Sequence, residues 1–239
     1  MNFIILAAGI GSRLRPLTED RPKCCIKINQ NSIISMLLSQ INEYFNSANI
    51  IIVTGYKDDY LKNHVKSKFN NIKFVHNSDY ESTNNMYSAR LAVPKLNEDD
   101  DVVIVNADCI FEDKIFKILS KTKETTILTD KSFFDEESMK AKIKDNHVIG
   151  MSKAFTNAED IIVSLDMYMF THNDFNKLVL IFDSYIEKGE ITKWTEVAIN
   201  DLAHKNKNMI KNKDIKNSFW HEIDTLEDLR KARDKWNVI

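Results

Sequence analysis

Four short strand-like runs divide the first half of the chain: Ile4-Ile5-Leu6-Ala7, Ile50-Ile51-Ile52-Val53, Ile72-Lys73-Phe74-Val75 and Val102-Val103-Ile104-Val105. Three of them are unbroken apolar stretches, the pattern of strands covered on both faces. Residues at helical spacing lie between them, first Ile33, Ile34, Leu37, Leu38, Ile41 and Phe45, then Tyr60, Leu61, Val65 and Phe69. Such alternation predicts a mainly parallel sheet with helices on both sides.

From residue 125 the texture changes. Thr126–Leu128, Ala141–Lys144, Val148–Met151 and Ile161–Phe170 read as strands, and Phe175–Ile186 and Thr195–His204 as helices. Thr225-Leu226-Glu227-Asp228 opens a last helix, through about Trp236, with a sequence like a capping box. No internal repeat, low-complexity linker or composition break marks a boundary, so residues 1–239 are expected to form one domain without an appended β-helix.

Lys plus Arg number 33 against 35 Asp plus Glu, a formal net charge of −2. That balance argues against a nucleic-acid binder, which gathers basic excess on one face. No apolar run approaches the roughly 18 residues of a membrane span. The first residues lack the basic start of a signal peptide, and Gly9 interrupts the apolar run early, so a cytoplasmic location is expected. Cys24, Cys25 and Cys109 are an odd count without CxxC spacing and read as reduced thiols.

Backbone-special residues are concentrated after the first strand, between Gly9 and about Lys23, where two of five glycines and two of three prolines fall. Gly9-Ile10-Gly11-Ser12-Arg13-Leu14 suggests a turn whose amides approach phosphate oxygens without a Cβ in the way. A dinucleotide fingerprint needs a third glycine where Leu14 stands, and an acidic residue where Thr54-Gly55-Tyr56 follow the second strand. A P-loop needs Gly-Lys-Ser/Thr where the chain has Leu14-Arg15-Pro16. What remains is a glycine turn carrying Arg13, Arg15, Arg21 and Lys23, a cationic set suited to a triphosphate. Pro22 pre-sets the loop and aims Lys23. A solvated basic loop is the alternative.

The run Leu6-Ala7-Ala8-Gly9-Ile10-Gly11-Ser12-Arg13-Leu14-Arg15-Pro16-Leu17-Thr18, followed by Arg21-Pro22-Lys23, resembles the signature of the nucleotidyltransferases that activate sugar phosphates and phosphocholine. The resemblance implies an α/β fold, a Rossmann-like three-layer sandwich with a mixed, mainly parallel sheet. It implies an NTP-binding half at 1–124 and an acceptor-binding half at 125–239. In that family Gly9, Gly11 and Arg13 would hold the NTP phosphates and Lys23 would contact the region of the α-phosphate.

Nucleotidyl transfer between two anions needs charge neutralisation, which a divalent cation on a few carboxylates supplies. Asp108 follows a buried strand, where open α/β sheets place ligands; a helix cap or turn is its structural alternative. The resemblance makes Asp108 the first metal ligand. It makes Asp224, in Trp220-His221-Glu222-Ile223-Asp224-Thr225, the second, although Asp224 also precedes a helix it could cap. The expected cofactor is Mg²⁺, with Mn²⁺ able to substitute, and the expected catalytic set is Arg13, Lys23, Asp108 and Asp224. No general base is demanded, because the acceptor phosphate is already ionised and positioning can carry the reaction. Cys24 beside Lys23 reads as a structural thiol.

Ser82-Thr83-Asn84-Asn85-Met86-Tyr87-Ser88-Ala89 looks more like the phosphocholine cytidylyltransferase branch than like sugar-directed members. Amide side chains donate and accept, which suits the mixed edge of cytosine; Thr83 or Asn84 also reads as a helix cap. The full nucleotide-binding expectation is Leu6, Ala7, Ala8, Gly9, Gly11, Ser12, Arg13, Lys23, Asn77, Thr83, Asn84, Asn85, Ser88 and Asp108. For the acceptor, Lys153 falls where the family often has a phosphate-binding lysine, without its usual Glu-Lys-Pro context. Tyr168, Trp194 and Trp220 are a candidate aromatic wall for a quaternary ammonium, against the commoner role of aromatics in a core.

The leading expectation is a cytidylyltransferase joining CTP to a small phosphorylated acceptor, phosphocholine-like or an amino-acid derivative such as phosphoglutamine, for surface polysaccharide or capsule decoration. A homodimer is allowed for. A uridylyl- or thymidylyltransferase acting on a sugar-1-phosphate is the second reading, and a nucleotide-binding regulator without catalysis the third. Both carboxylates are intact, and a binding module would not need them.

Overall fold

The alternating apolar runs become the spine of one long sheet in the computed structural model, which describes residues 1–236; residues 237–239, counted in the expected second half, lie outside them. The strands are β1 (Asn2–Ala7), β2 (Lys27–Ile28), β3 (Asn31–Ser32), β4 (Asn49–Thr54), β5 (Ile72–His76), β6 (Val102–Asn106) and β7 (Cys109–Phe111). They continue with β8 (Thr126–Asp130), β9 (Lys140–Lys144), β10 (His147–Ser152), β11 (Ile161–Phe170), β12 (Lys211–Asp214) and β13 (Trp220–Glu222). The helices are α1 (Ile33–Tyr44), α2 (Asp58–Lys66), α3 (Asn85–Ala92), α4 (Asp113–Leu119), α5 (His172–Glu187), α6 (Thr195–Lys205) and α7 (Leu226–Trp236).

Nine strands form the main sheet in the order β5-β4-β1-β6-β11-β8-β12-β10-β9, so it draws on both halves of the chain. Of these, β5, β4, β1 and β6 pair in parallel. β11 then enters antiparallel between β6 and β8, and the sheet is mixed from there on. Parallel strands need crossovers, and α1, α2 and α3 fall in those connections.

Period-two alternation sorts the core. Phe3 and Ile5 of β1, Ile50 and Ile52 of β4, and Val103 and Val105 of β6 face one side, where Leu37, Leu38 and Ile41 of α1 and Phe116 of α4 cover them. Ile4, Ile51, Val53 and Ile104 face the other, under Met86 and Ala89 of α3, Leu178 and Phe182 of α5, and Ile199 of α6. These are the three layers of an α/β sandwich. Local chemistry agrees with the boundaries: the Ser32 hydroxyl accepts from the Ser35 amide at 3.2 Å to open α1.

A third, smaller cluster sits at the carboxyl end of β1 and β6. Leu14, Ile26, Ile28, Ile110, Ile223 and Leu229 pack together there. These apolar residues alternate with polar ones along the chain: Leu14 follows Arg13, Ile110 lies two after Asp108, and Ile223 precedes Asp224. Burying the three apolar neighbours gathers the three polar residues at one place.

Candidate active site

Two backbone devices bring Asp108 and Asp224 together. β13 pairs antiparallel with β7, setting Trp220 opposite Phe111, His221 opposite Ile110 and Glu222 opposite Cys109. One step beyond, the Ile223 amide donates to the Asp108 carbonyl at 2.9 Å. Asp224 is also free of capping duty. The Thr225 hydroxyl accepts from the Asp228 amide at 3.2 Å, and the Asp228 carboxylate accepts from the Thr225 amide at 2.8 Å, a reciprocal box that opens α7. Asp108 runs directly into β7, so it caps no helix either.

The basic side of the site is the glycine loop. Gly11 has φ +66°, and a Cβ there would fall 2.8 Å from Lys23 Cβ, so only glycine lets the lysine pass. The Thr18 hydroxyl donates to the Gly11 carbonyl at 2.9 Å and closes the loop on itself. After Pro22, at φ −65°, a single 3₁₀ turn over Lys23–Cys25 turns the lysine inward. Its ammonium lies 2.9 Å from Asp108 Oδ2 and 2.5 Å from Asp224 Oδ1. Arg13 reaches the other oxygen of Asp224 at 2.6 Å.

The four expected cations therefore separate. Arg13 and Lys23 enter the site, whereas Arg21 pairs with its neighbour Asp20 at 2.8 Å and lies over the Tyr60 ring. Arg15 is exposed and is not among the residues that line the cavity holding Arg13, Lys23, Asp108 and Asp224. Cys24 is buried, and its hydrogen bond with Cys25, together with burial, pushes the thiol up, so it stays protonated.

Sequence reasoning missed Glu222. Oxygens of Asp108, Glu222 and Asp224 lie within 4.8 Å of one another, forming a three-carboxylate group. Burial, then repulsion from Asp108, Asp166 and Asp224, pushes Glu222 up to about 9. Asp224 goes the other way: burial opposes its charge, but Lys23 and Arg13 outweigh that and hold it below the usual carboxylate range. Lys23 is raised, since Asp108 and Asp224 overcome the opposing effect of burial. Such opposed shifts in one cleft mark a site built for charge management.

Two cavities meet above the end of β1. One of about 260 Å³ is lined by Ala7, Gly11, Ser12, Arg13, Lys23 and Asp224; the other, of about 240 Å³, by Ala8, Asn77, Thr83, Asn84, Asn85 and Ser88. Leu6, Gly9 and Asp108 line both. Every residue of the nucleotide-binding expectation thus borders this joined space. Tyr80 and Asn106 join them, and neither carried a motif. A Cβ built on Gly9 meets nothing within 4 Å. The residue therefore faces open cavity, and the backbone there is bare toward whatever fills it.

The amides around the second cavity differ in what they leave available. Asn77, 1% exposed, donates to Thr83 and Ser88 at 3.0 Å and accepts from the Asp79 amide at 3.0 Å, so it braces the loop. Asn84 Oδ1 accepts from the Asn85 amide at 2.8 Å, and Asn85 Oδ1 from the Thr195 amide at 2.7 Å. Both carbonyl ends are engaged within the protein, and Asn85 also donates one N–H to Glu196, which leaves the remaining N–H groups, chiefly those of Asn84, as donors these side chains can still offer.

The three expected aromatic residues do not form one wall. Tyr168 is 1% exposed within the core under α5 and α6, so its ring faces no ligand. Its hydroxyl lies 2.9 Å from Asp166 and 2.8 Å from Glu196. One hydroxyl proton serves only one of these contacts, so the other requires a carboxyl proton. Burial and then Glu196 push Asp166 up to about 7, in accord with that. Trp220 packs with the core on the opposite sheet face, its indole N–H donating to Asp130 at 3.0 Å, and still lines the cavity beside Asp224. Trp194 is exposed, with the Lys153 ammonium 5.3 Å from its ring centre, and stands two residues before the Glu196 that meets the Tyr168 hydroxyl.

A different aromatic arrangement occupies the space beside Asp224. A cavity of about 680 Å³ is lined by Phe133, Phe134, Trp220 and the acidic side chains Asp135, Glu137, Glu222, Asp224, Glu227 and Asp228. Arg13 and Lys231 are its cations, and Arg13 and Asp224 also line the first cavity. Phe133, 45% exposed, packs against Trp220 with ring centres 6.0 Å apart. Adjacent phenylalanines in an otherwise polar Lys131–Ser138 stretch were the available signal.

Comparison with known proteins accords with this geometry. The family model described as nucleotidyl transferase matches residues 2–237. The CTP:phosphoglutamine cytidylyltransferase of Campylobacter jejuni is 31% identical over 228 residues, covering 87% of this chain and 83% of that protein. The choline-phosphate cytidylyltransferase of Streptococcus pneumoniae is 38% identical over a shorter stretch of 96 residues, 40% of this chain and 41% of that one. The bifunctional protein GlmU of Methanocaldococcus jannaschii is 29% identical, and this chain spans only 56% of its length. Among solved structures, the CTP:phosphocholine cytidylyltransferase of Streptococcus pneumoniae superposes with a TM-score of 0.79 at 22% identity, covering 98% of both chains, a likeness of fold.

Proposed function

The chain belongs to the nucleotidyl transferase family, and from that membership we propose that it is a Mg²⁺-dependent cytidylyltransferase joining CTP to a small phosphorylated acceptor, with release of pyrophosphate. The observation that carries this reading is the meeting of Arg13 and Lys23 with Asp108, Glu222 and Asp224 at the junction of the cavities. In the reaction an oxygen of the acceptor phosphate attacks the α-phosphorus of CTP, and the bond from that phosphorus to the bridging oxygen breaks. The electron pair leaves with pyrophosphate, and no proton has to be removed from the ionised acceptor. Lys23 neutralises charge gathering at the α-phosphate while Arg13 faces both the nucleotide and the acceptor cavities.

The donor set fits the metal. Three carboxylates converge, all oxygen donors, and Mg²⁺ prefers one or two carboxylates plus phosphate oxygens. Asp108 and Asp224 would hold it with Glu222 beside them, and when bound it supplies Lewis-acid stabilisation of the phosphates.

The N–H donors left at Asn84 and Asn85 suit the acceptor atoms O2 and N3 of cytosine. The acidic, aromatic-walled cavity suits an acceptor bearing an ammonium group, a feature shared by phosphocholine and phosphorylated amino acids. Its product would serve surface polysaccharide or capsule decoration, and a cytoplasmic location fits that supply. Measuring pyrophosphate release from the four NTPs against phosphorylated amines, amino-acid derivatives and sugars tests the reading. CTP with an amine-bearing acceptor is the expected pair; activity confined to UTP or dTTP with hexose-1-phosphates would overturn it.

A further inference from the structure

The two walls of the 680 Å³ cavity are built differently. Trp220 to Asp228 stands on the β7–β13 ribbon and the start of α7, whereas residues 131–139 have no helix or strand of their own. A wall made of loop can present Phe133, Phe134, Asp135 and Glu137 in a fixed way only if something other than a hydrogen-bond ladder holds it.

Both ends of the loop are tied. At its start, Asp130 Oδ1 accepts from the Ser132 amide at 2.8 Å and from its hydroxyl at 2.6 Å, while Oδ2 takes the indole N–H of Trp220. At its end stands Lys140, the first residue of β9 and fully buried. Its ammonium donates to the carbonyls of Asp135 at 3.1 Å, Glu136 at 2.8 Å and Ser138 at 2.9 Å, and lies 5.1 Å from the centre of the Phe134 ring. Asp135 in turn accepts from the Ser138 amide at 2.8 Å and hydroxyl at 2.6 Å.

Among the described residues no carboxylate lies within ion-pair distance of Lys140, and those of Asp135, Glu136 and Glu137 act on it only from further off. A whole cation is taken out of water and matched by three carbonyl dipoles and a ring face, an arrangement that is costly unless complete. It folds the loop around one point and leaves the acidic side chains of Asp135 and Glu137 on the cavity rather than on the lysine. Lys140 itself lines a separate space behind the loop, with Lys153 and Phe155.

We propose that Lys140 is a positioning residue for the acceptor: it fixes the 131–139 loop as the aromatic and acidic wall that selects an ammonium-bearing substrate. The proposal rests on the acceptor cavity assigned above. Lys140 never touches the substrate and acts through Phe134 and the Asp135–Ser138 turn.

Lys140→Met keeps the apolar stem and removes the three donated bonds. In the full chain, the acceptor KM rises about tenfold, while the KM for CTP and kcat stay within about twofold. Hydrogen exchange quickens at amides 131–139 and not at 9–23. Equal changes in both KM values, no change in either, or unaltered exchange at 131–139 would overturn the proposal. If Lys140→Met does not fold, Ser138→Ala removes only the hydroxyl bond to Asp135 and is read by the same split. Should the wild type turn over no acceptor with CTP, the functional reading fails, and the exchange experiment still decides whether Lys140 holds the loop.

Discussion

Asp224 follows Lys23 by 201 positions in the chain, yet its carboxylate accepts from the lysine ammonium at 2.5 Å. The same ammonium reaches Asp108 at 2.9 Å, so one cation ties the glycine loop to both strands of the β7–β13 ribbon at one end.

Lys23 is only 12% exposed, and removing it leaves two acids facing each other. Lys23→Met should lower kcat/KM by about a hundred- to a thousandfold. It should also cost about 3 kcal/mol of stability at neutral pH. Because Lys23 and Arg13 depress Asp224, that stabilisation is present above the ordinary carboxylate pKa and disappears as pH falls through the depressed one. Denaturant unfolding of both proteins along a falling pH series should therefore show the gap closing.

Asp108→Asn and Asp224→Asn should each reduce pyrophosphate release by about a thousandfold or more while leaving the fold intact. Each variant also breaks an ion pair with Lys23, so the unfolding midpoint without added metal should fall somewhat, more for Asp224→Asn, which loses Arg13 as well. Adding Mg²⁺ should raise the midpoint of the wild type more than that of either variant. Wild-type rates in both variants would refute the assignment.

Gly9 and Gly11 should respond differently to the same added methyl group. At Gly9 it enters open cavity, so Gly9→Ala should keep its stability while the KM for the nucleotide rises about tenfold. At Gly11 it meets Lys23 Cβ at 2.8 Å on a left-handed backbone, so Gly11→Ala should lose about 1–3 kcal/mol and activity together. Kinetics and thermal unfolding measured side by side would show the contrast.

Asp166, which stands close enough to the carboxylate triad to repel Glu222, gives a second pH signature. Burial and Glu196 raise it from 3.8 to about 7, which favours its protonated form in the folded chain. Its contribution is full below the unfolded value and is lost as pH rises through about 7. Asp166→Asn stays neutral throughout, and asparagine tolerates the φ of +55° found there. Stability of the variant should decline less between acid and neutral pH than that of the wild type, as measured by denaturant unfolding.

The parts legible in the sequence were those where one residue type has few alternatives. Unbroken apolar runs gave β1, β4 and β6, and the Gly9–Lys23 loop and Asp108 stood out because glycine, proline and charge were crowded around a strand end. β12 was invisible: Lys-Asn-Lys-Asp has no apolar period, yet it lies between β8 and β10, held by pairing rather than by side-chain burial. α4 was missed because Asp113–Leu119 is too short to show a repeat. Glu222 looked like any polar strand residue, since only the pairing with Cys109 brings it to Asp108. Tyr168 was misplaced because aromatic residues on a strand carry no label for which face they take, and packing under α5 and α6 decided it.

The small β7–β13 ribbon has a consequence for how the molecule comes into being. Its second strand begins at Trp220, so no fragment ending earlier in the chain contains a complete acidic group, however well its own sheet has formed. After a protease cut between Cys109 and Trp220 the two acids would no longer be joined through that stretch of backbone, and sheet pairing, the three ribbon rungs and the Lys23 bridge would have to hold them together. The acidic group is complete only once the ribbon closes.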